Sequence, residues 1–243
     1  MKPLTFVSLF AGIGGFDLGL ERAGMKCIAQ VEIDPYCRAV LAKHWPDVPK
    51  FGDIRDVQGS DLGNPDIIAG GFPCKQTSTA AAMSGNRNGL QGRDSGLWFE
   101  MLRIIKQIRP TWVLVENVSG ATTWRAQIER CLAKVGYAVR VAGGTAAAVG
   151  APHLRRRMFF VAHADRQRLS FAGEAWPCPA ECLAWRTSDR NPWVSSLAGV
   201  LRVADGVPGG LDRRAQIHAL GNAVVPQVAE VIGRAIVAAH EQT

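Results

Sequence analysis

Short apolar runs alternate along the chain with amphipathic stretches, and glycine, proline or aspartate marks each switch. LTFVSLF at 4–10 has the β-branched and aromatic content of a buried strand. The glycines of AGIGG at 11–15 end it, and Phe16 to Ala23 then repeats apolar residues at helical spacing. The predicted unit is strand, tight turn, helix. It recurs at once: Cys27 to Glu32 reads as a second strand, and Asp34 with Pro35 match an N-cap and a first-turn proline. A third strand is expected to end at Asp53, with others near 66–69, 112–116, 137–142 and 158–162 and helices near 95–108, 122–135 and 225–240. Strands alternating with helices predict an α/β fold whose mostly parallel sheet is covered on both faces.

Between 164 and 212 this rhythm fails. Trp176, Trp185, Trp193, Cys178 and Cys182 fall there among prolines and arginines with little periodicity. The stretch reads as a small irregular insertion, with 1–163 and 213–243 forming the main domain. A chain of 243 residues, 47% of them hydrophobic, can bury a full core. No apolar run is read as approaching the roughly 18 residues of a membrane span, and Met1 to Leu9 lacks a signal-peptide layout. The expectation is a soluble cytoplasmic protein with no membrane partner. Six scattered cysteines in a chain of this size suggest reduced thiols. The Cys178, Cys182 pair lacks a second pair at ligand spacing, so no metal site is expected.

Charge sharpens the picture once it is divided along the chain. Residues 1–74 hold 7 Lys/Arg against 9 Asp/Glu, whereas residues 75–214 hold 20 against 10. The positive excess follows the first third, and a long basic surface suits a phosphate backbone. The plainer alternative is a merely basic soluble protein.

Candidate chemistry gathers at the expected strand ends. The glycine turn at 11–15 lets backbone approach a ligand and presents helix N–H groups to an anion, although its spacing is not that of a dinucleotide fingerprint. Glu32 follows about 20 residues later, where an acidic side chain can bind ribose hydroxyls. Asp53 would end a third strand on the same sheet edge. Singly, each carboxylate is as readily a cap; with the turn, the pair suits a nucleoside. GGFPCKQTS at 70–78 then sets Cys74 just past a strand end, open to roles as nucleophile, metal ligand or buried thiol.

The ordered series FVSLFAGIGGFDLGL, VEIDPYC, GDI, GGFPC, ENV, PHLRRRMFFVA and GNAVVP resembles the cytosine-C5 DNA methyltransferases over nearly the whole chain apart from about 164–200. The resemblance implies a Rossmann-like class I methyltransferase core with a small irregular target-recognition insertion. It implies S-adenosylmethionine as cofactor, with Phe10, Gly12, Gly14 and Gly15 around its methionine and adenosine portions. Glu32 would take the ribose, Ile33 would pack on the adenine, Asp53 would bond the adenine amine and Ile54 would pack nearby. Leu97, Asn222 and Val224 would close the pocket.

For catalysis, the resemblance makes Cys74 the nucleophile that adds to C6 of a flipped-out cytosine, and Glu116 the group that serves the ring N3. Arg155 and Arg157, alternating on an extended segment, are expected to point together toward the base O2 or adjacent phosphates, with Arg156 on the solvated face. Asn117 and Pro73 are read as shaping residues. Ser78 resembles a phosphate contact, and Arg87 and Arg93 sit in a glycine-rich stretch that reads as a lid over DNA. Lys75 and His153 stand where the family commonly has glutamine. The partner implied is double-stranded DNA, bound by a monomer, with room for a helper protein because the recognition insertion is short. Three rivals stand against this reading: a transfer-RNA cytosine-C5 methyltransferase, a non-catalytic DNA-binding relic of the family and, more distantly, a nicotinamide-dependent oxidoreductase, for which the glycine spacing is wrong.

Overall fold

The structure of the chain is a computed structural model that describes residues 2–73, 96–118, 122–151, 155–165 and 219–241. Cys74, Ser78, Arg87, Arg93, His153 and nearly all of the 164–212 insertion, with Cys178 and Cys182, lie outside the described residues.

Strand β1 (Thr5–Leu9) runs into the glycine turn and helix α1 (Gly15–Arg22). Strand β2 (Lys26–Val31) leads to helix α2 (Pro35–His44), where the Asp34 carboxylate accepts from the N–H groups of Tyr36 at 2.8 Å and Cys37 at 3.1 Å. That is the N-cap and first-turn proline legible in the sequence. Strand β3 is only Lys50–Phe51, so Asp53 lies beyond its end. Strand β4 (Ile67–Gly70), helix α3 (Leu97–Ile108), strand β5 (Trp112–Val118) and helix α4 (Thr122–Lys134) continue the alternation. The chain closes with β6 (Ala138–Thr145), β7 (Arg156–His163) and helix α5 (Pro226–Glu241).

The seven strands form one sheet in the order β3-β2-β1-β4-β5-β7-β6. Pairing is parallel from β3 to β5, while β7 runs antiparallel to both β5 and β6. The fold is thus α/β and Rossmann-like with a mostly parallel sheet, as expected. Successive strand residues face opposite sides, and each side has its own core. Val7, Leu9, Ile68, Val113 and Val115 meet α3 and α4 through Trp98, Met101, Ile104, Ile128 and Leu132. Phe6, Ile67, Leu114 and Val161 meet α1 and α5 through Phe16, Leu20, Val228 and Ile232.

The helical stretch Ala219–Glu241 has a mean hydropathy of 1.2 and passes the length and composition test for a membrane span, a run that the sequence reading did not expect. Its residues Val228, Ala229, Ile232 and Ile236 are buried in the second core. A core helix meets the same test.

Chain order reverses between β1 and β4, whose neighbours lie on opposite sides, and at such a switch point the carboxyl ends of the strands leave a crevice. The turn after β1 and the segment after β4 both open there. Under α1, buried Asp17 accepts from Ser8 Oγ at 3.0 Å, Gln30 Nε2 at 2.8 Å and Cys27 Sγ at 3.4 Å. This network ties the helix to β1 and β2, so the turn between them is held at both sides. Burial pushes the Asp17 carboxyl above its ordinary range, against the lowering effect of these hydrogen bonds.

Candidate functional site

Phe10 leaves β1 with φ 55, and Gly12 follows with φ 57. Among the described residues nothing comes within 4 Å of the position a Gly12 β-carbon would take, so backbone is bare toward them on that side. The Gly12 N–H donates to Glu32 Oε2 at 2.7 Å, and the Asp34 N–H donates to Glu32 Oε1 at 2.8 Å. Each oxygen keeps acceptor capacity, so Glu32 serves as a brace between two strand ends and still offers a face to hydroxyl donors. Beside it Ile33 is 58% exposed, a large apolar side chain without a protein cover at the crevice.

Two further glycines of the turn answer to protein neighbours. Gly14 has φ 88, and a β-carbon there would collide with the Trp45 ring at 2.4 Å. Trp45 is itself fixed by donating from Nε1 to Glu21 at 2.8 Å. A β-carbon on Gly15 would stand 2.3 Å from the Val224 carbonyl oxygen. The turn is therefore pressed against the 221–226 segment from the far end of the chain. Trp45 is a supporting residue that sequence reasoning missed, because nothing in its local pattern distinguishes it from a helix-end aromatic.

Asp53 accepts from the Arg55 N–H at 3.0 Å, capping the 3-10 turn Ile54–Asp56, and its carboxylate also pairs with the Arg55 guanidinium. The Arg55 hydrogen bonds hold the Asp53 carboxyl below the usual carboxylate range. Ile54 is 3% exposed and packs in the first core with Leu97, the first residue of α3. Arg38 donates to the carbonyls of Glu32 and Ile33, both at 3.0 Å, which fixes the end of β2. Asn222 is exposed and Val224 half-buried.

A bare glycine backbone, a braced carboxylate with remaining acceptor capacity and an exposed isoleucine lie around one crevice. Those features match a ribose diol and a flat base, so the residues fit the adenosine part of the implied cofactor.

The second half of the site lies across β4 and β5. Glu116 near the end of β5 is 8% exposed, and its Oε1 meets Arg157 Nε at 2.7 Å. Burial pushes the carboxyl up to about 7, with Arg157 and then Arg155 pulling it partly back. Such a group can hold or give a proton at neutral pH. The next residue, Asn117, donates from Nδ2 to the Phe72 carbonyl at 3.2 Å. Phe72 in turn packs on Trp98 and Trp124, with ring centroids 5.7 and 6.4 Å away. The backbone that enters Pro73 and Cys74 is thereby fixed two residues ahead of the thiol.

The two arginines bond different groups, although both lie near enough to Glu116 to pull its pKa down. Arg157 is in β7 and pairs with Glu116, whereas Arg155 precedes the strand with φ 28, outside the extended geometry that makes alternate residues parallel. Its guanidinium donates to the carbonyls of Gly221 at 2.7 Å and Ala223 at 2.6 Å. Arg155 therefore ties the strand to the loop carrying Asn222 and Val224. Arg156 is exposed, as read.

Comparison with known proteins gives a consistent picture. The family model for C-5 cytosine-specific DNA methylase matches residues 4–187. Type II methyltransferase M.HaeII of Haemophilus aegyptius is 34% identical over 70% of this chain and 54% of its own length. Type II methyltransferase M2.BsuMI of Bacillus subtilis is 33% identical over 65% of this chain and 42% of its own length. The chain spans about half the length of the curated relatives it matches. A crystal structure of a Spodoptera frugiperda DNMT2 mutant aligns with TM-score 0.55 at 20% identity, covering 67% of this chain and 50% of that one, a likeness of fold alone.

Proposed function

The chain belongs to the C-5 cytosine-specific DNA methylases, and from that premise we propose that it methylates C5 of cytosine in double-stranded DNA through a covalent Cys74 adduct. S-adenosylmethionine, when bound, supplies an electrophilic methyl group. Phe10 and Gly12 would cradle its methionine and adenosine portions on a turn that Gly14 and Gly15 let pack against Trp45 and Val224, Glu32 would take its ribose, and Ile33, Asp53 and Ile54 its adenine, with Leu97, Asn222 and Val224 closing the pocket.

C5 of cytosine is a weak nucleophile, so the ring must first be activated. The Cys74 thiolate forms a bond to C6 of a base swung out of the helix, and the displaced electron pair moves toward N3. Glu116 meets that charge with its proton, and Arg157 holds the carboxyl in place. C5 then accepts the methyl group; the C5 proton passes to solvent, the sulfur–C6 bond breaks to restore the thiolate, and the N3 proton returns to Glu116, leaving 5-methylcytosine. Ser78, Arg87 and Arg93 would contact DNA, and the 164–212 region would read the target within a monomer, with room for a helper protein. One observation carries the reading: a buried carboxyl with its pKa raised to about 7 lies beside the backbone that leads into Cys74.

The test uses duplex DNA in which the target cytosine is 5-fluorocytosine. Fluorine leaves no C5 proton to lose, so the sulfur–C6 bond cannot be eliminated. The parent protein with S-adenosylmethionine should give a DNA adduct that survives denaturing electrophoresis, and Cys74→Ser should give none while binding S-adenosylhomocysteine with parent affinity. Methylation by Cys74→Ser near the parent rate refutes the reading.

A further inference from the structure

Away from the reacting groups, one side chain uses its donors to join two walls of the cofactor crevice. Arg103 projects from α3 and donates from Nη2 to the carbonyls of Ile54 and Val57, both at 2.9 Å. Its Nε meets Glu100 Oε2 at 2.8 Å, and Nη1 reaches Gln58 at 3.4 Å and Gln107 at 3.3 Å. A guanidinium has a rigid planar fork of five donors, so this arrangement fixes direction as well as distance. Gln107 adds a second link on the same helix, accepting from the Gly59 N–H at 2.8 Å and donating to Gln58 Oε1 at 2.9 Å.

The two elements joined are the ones assigned to the adenine. The 53–57 segment carries Asp53 and Ile54, and α3 begins at Leu97. The strand beneath the first of them is two residues long, too short to hold the following turn by sheet pairing alone. Ile54 and Val57 anchor it in the first core through their side chains, and the grip on its carbonyls fixes its backbone. We infer that Arg103 is a positioning residue for the cofactor adenine: by gripping the Ile54 and Val57 carbonyls it sets the spacing between the Asp53–Ile54 wall and the Leu97 wall. This rests on the assignment of that crevice to S-adenosylmethionine, and it names a residue that touches neither cofactor nor base.

The test is calorimetric binding of S-adenosylhomocysteine to the full chain, which needs no DNA and no turnover. Arg103→Lys keeps a cation beside Glu100 but cannot span both carbonyls and the glutamines, and it should weaken binding about tenfold, the low end for one lost charge-assisted hydrogen bond felt through the wall it holds. Lys106→Ala, at an exposed position of the same helix, leaves the Arg103 and Gln107 links in place and should stay within about twofold of the parent. Steady-state methylation should show the Arg103→Lys loss in KM for the cofactor, with kcat at saturating cofactor and KM for DNA near the parent values. Parent affinity in a folded Arg103→Lys, or an equal loss in Lys106→Ala, overturns the inference. A fall in kcat that tracks a fall in Tm does so too, since it marks a structural role. Absence of S-adenosylhomocysteine binding by the parent protein overturns instead the assignment of the crevice, and this inference with it.

Discussion

The Glu116 carboxylate lies against the backbone of Gly71, so close that a β-carbon on Gly71 would stand 2.8 Å from Oε2. The glycine two residues before Pro73 therefore makes room for the acid. Gly71→Ala should displace the carboxyl from Arg157 and lower the methyl-transfer rate by about two orders of magnitude, the usual cost of an ångström-scale misplacement at a reacting centre. Single-turnover methylation of a cytosine-containing duplex reads this. A rate near the parent value would mean that the carboxyl has freedom to move aside without loss.

Burial dominates the Glu116 pKa and raises it to about 7, so the protonated carboxyl should be available below that pH and lost above it. The profile of kcat/KM for DNA should show a falling limb with a midpoint of about 7 and a slope of one proton. Glu116→Gln should abolish that limb and slow the reaction at every pH.

The same shift has a consequence for stability. An unfolded glutamate ionises near 4.5, while the folded protein keeps the proton to about 7. Stability from this group is complete below 4.5, declines as pH rises through this window, and is flat above it. The loss is on the order of 3 kcal/mol for a shift of this size. Urea unfolding at pH 5 and pH 8 should show a larger drop for the parent than for Glu116→Gln. Equal drops would place the pH dependence elsewhere, with Asp17, whose pKa is also raised, the first candidate.

Much of this architecture was legible because local chemistry and fold agree. The glycine turn after LTFVSLF, the Asp34–Pro35 helix start and the acidic strand ends each show in a few consecutive residues. The antiparallel β6–β7 pair did not show, since an apolar run reads alike in either direction. Gly15 looked like a ligand-facing glycine, yet its nearest constraint is Val224, and no local pattern connects positions so far apart. Arg155 and Arg157 looked equivalent because alternation presumes a continuous strand, and the strand starts at Arg156. Arg103 draws no attention in the sequence, being one more cation on an amphipathic helix; the carbonyls it bonds carry no sequence signature.

Gly15→Ala should act through packing. The new methyl group meets main-chain atoms of Val224, which cannot rotate away as a side chain would. Overpacking of this kind costs about 1–3 kcal/mol. A lower Tm together with weaker S-adenosylhomocysteine binding is expected, because the turn and the 221–226 segment separate as one event. Loss of binding with Tm unchanged would point to the ligand, and not Val224, as the group that excludes the methyl.

Arg155 and Arg157 bond to different groups, so their substitutions should fail differently. Arg157 bonds the Glu116 carboxylate and is the larger charge pulling its pKa down, with Arg155 second. Arg157→Gln removes that pull and leaves burial less opposed, which should carry the falling limb of the pH profile to higher pH while kcat drops through loss of the aligned pair. Arg155→Lys leaves a positive charge near Glu116, so the limb should stay close to its parent position. A lysine ammonium cannot grip the Gly221 and Ala223 carbonyls as the planar fork does. The loop carrying Asn222 and Val224 then loosens, and S-adenosylhomocysteine affinity should fall about tenfold, the low end for one charge-assisted hydrogen bond. Calorimetry and the pH profile on the same two proteins separate these effects. If both variants move the limb alike and spare cofactor binding, Arg155 acts on the acid and its bonds to the loop are incidental.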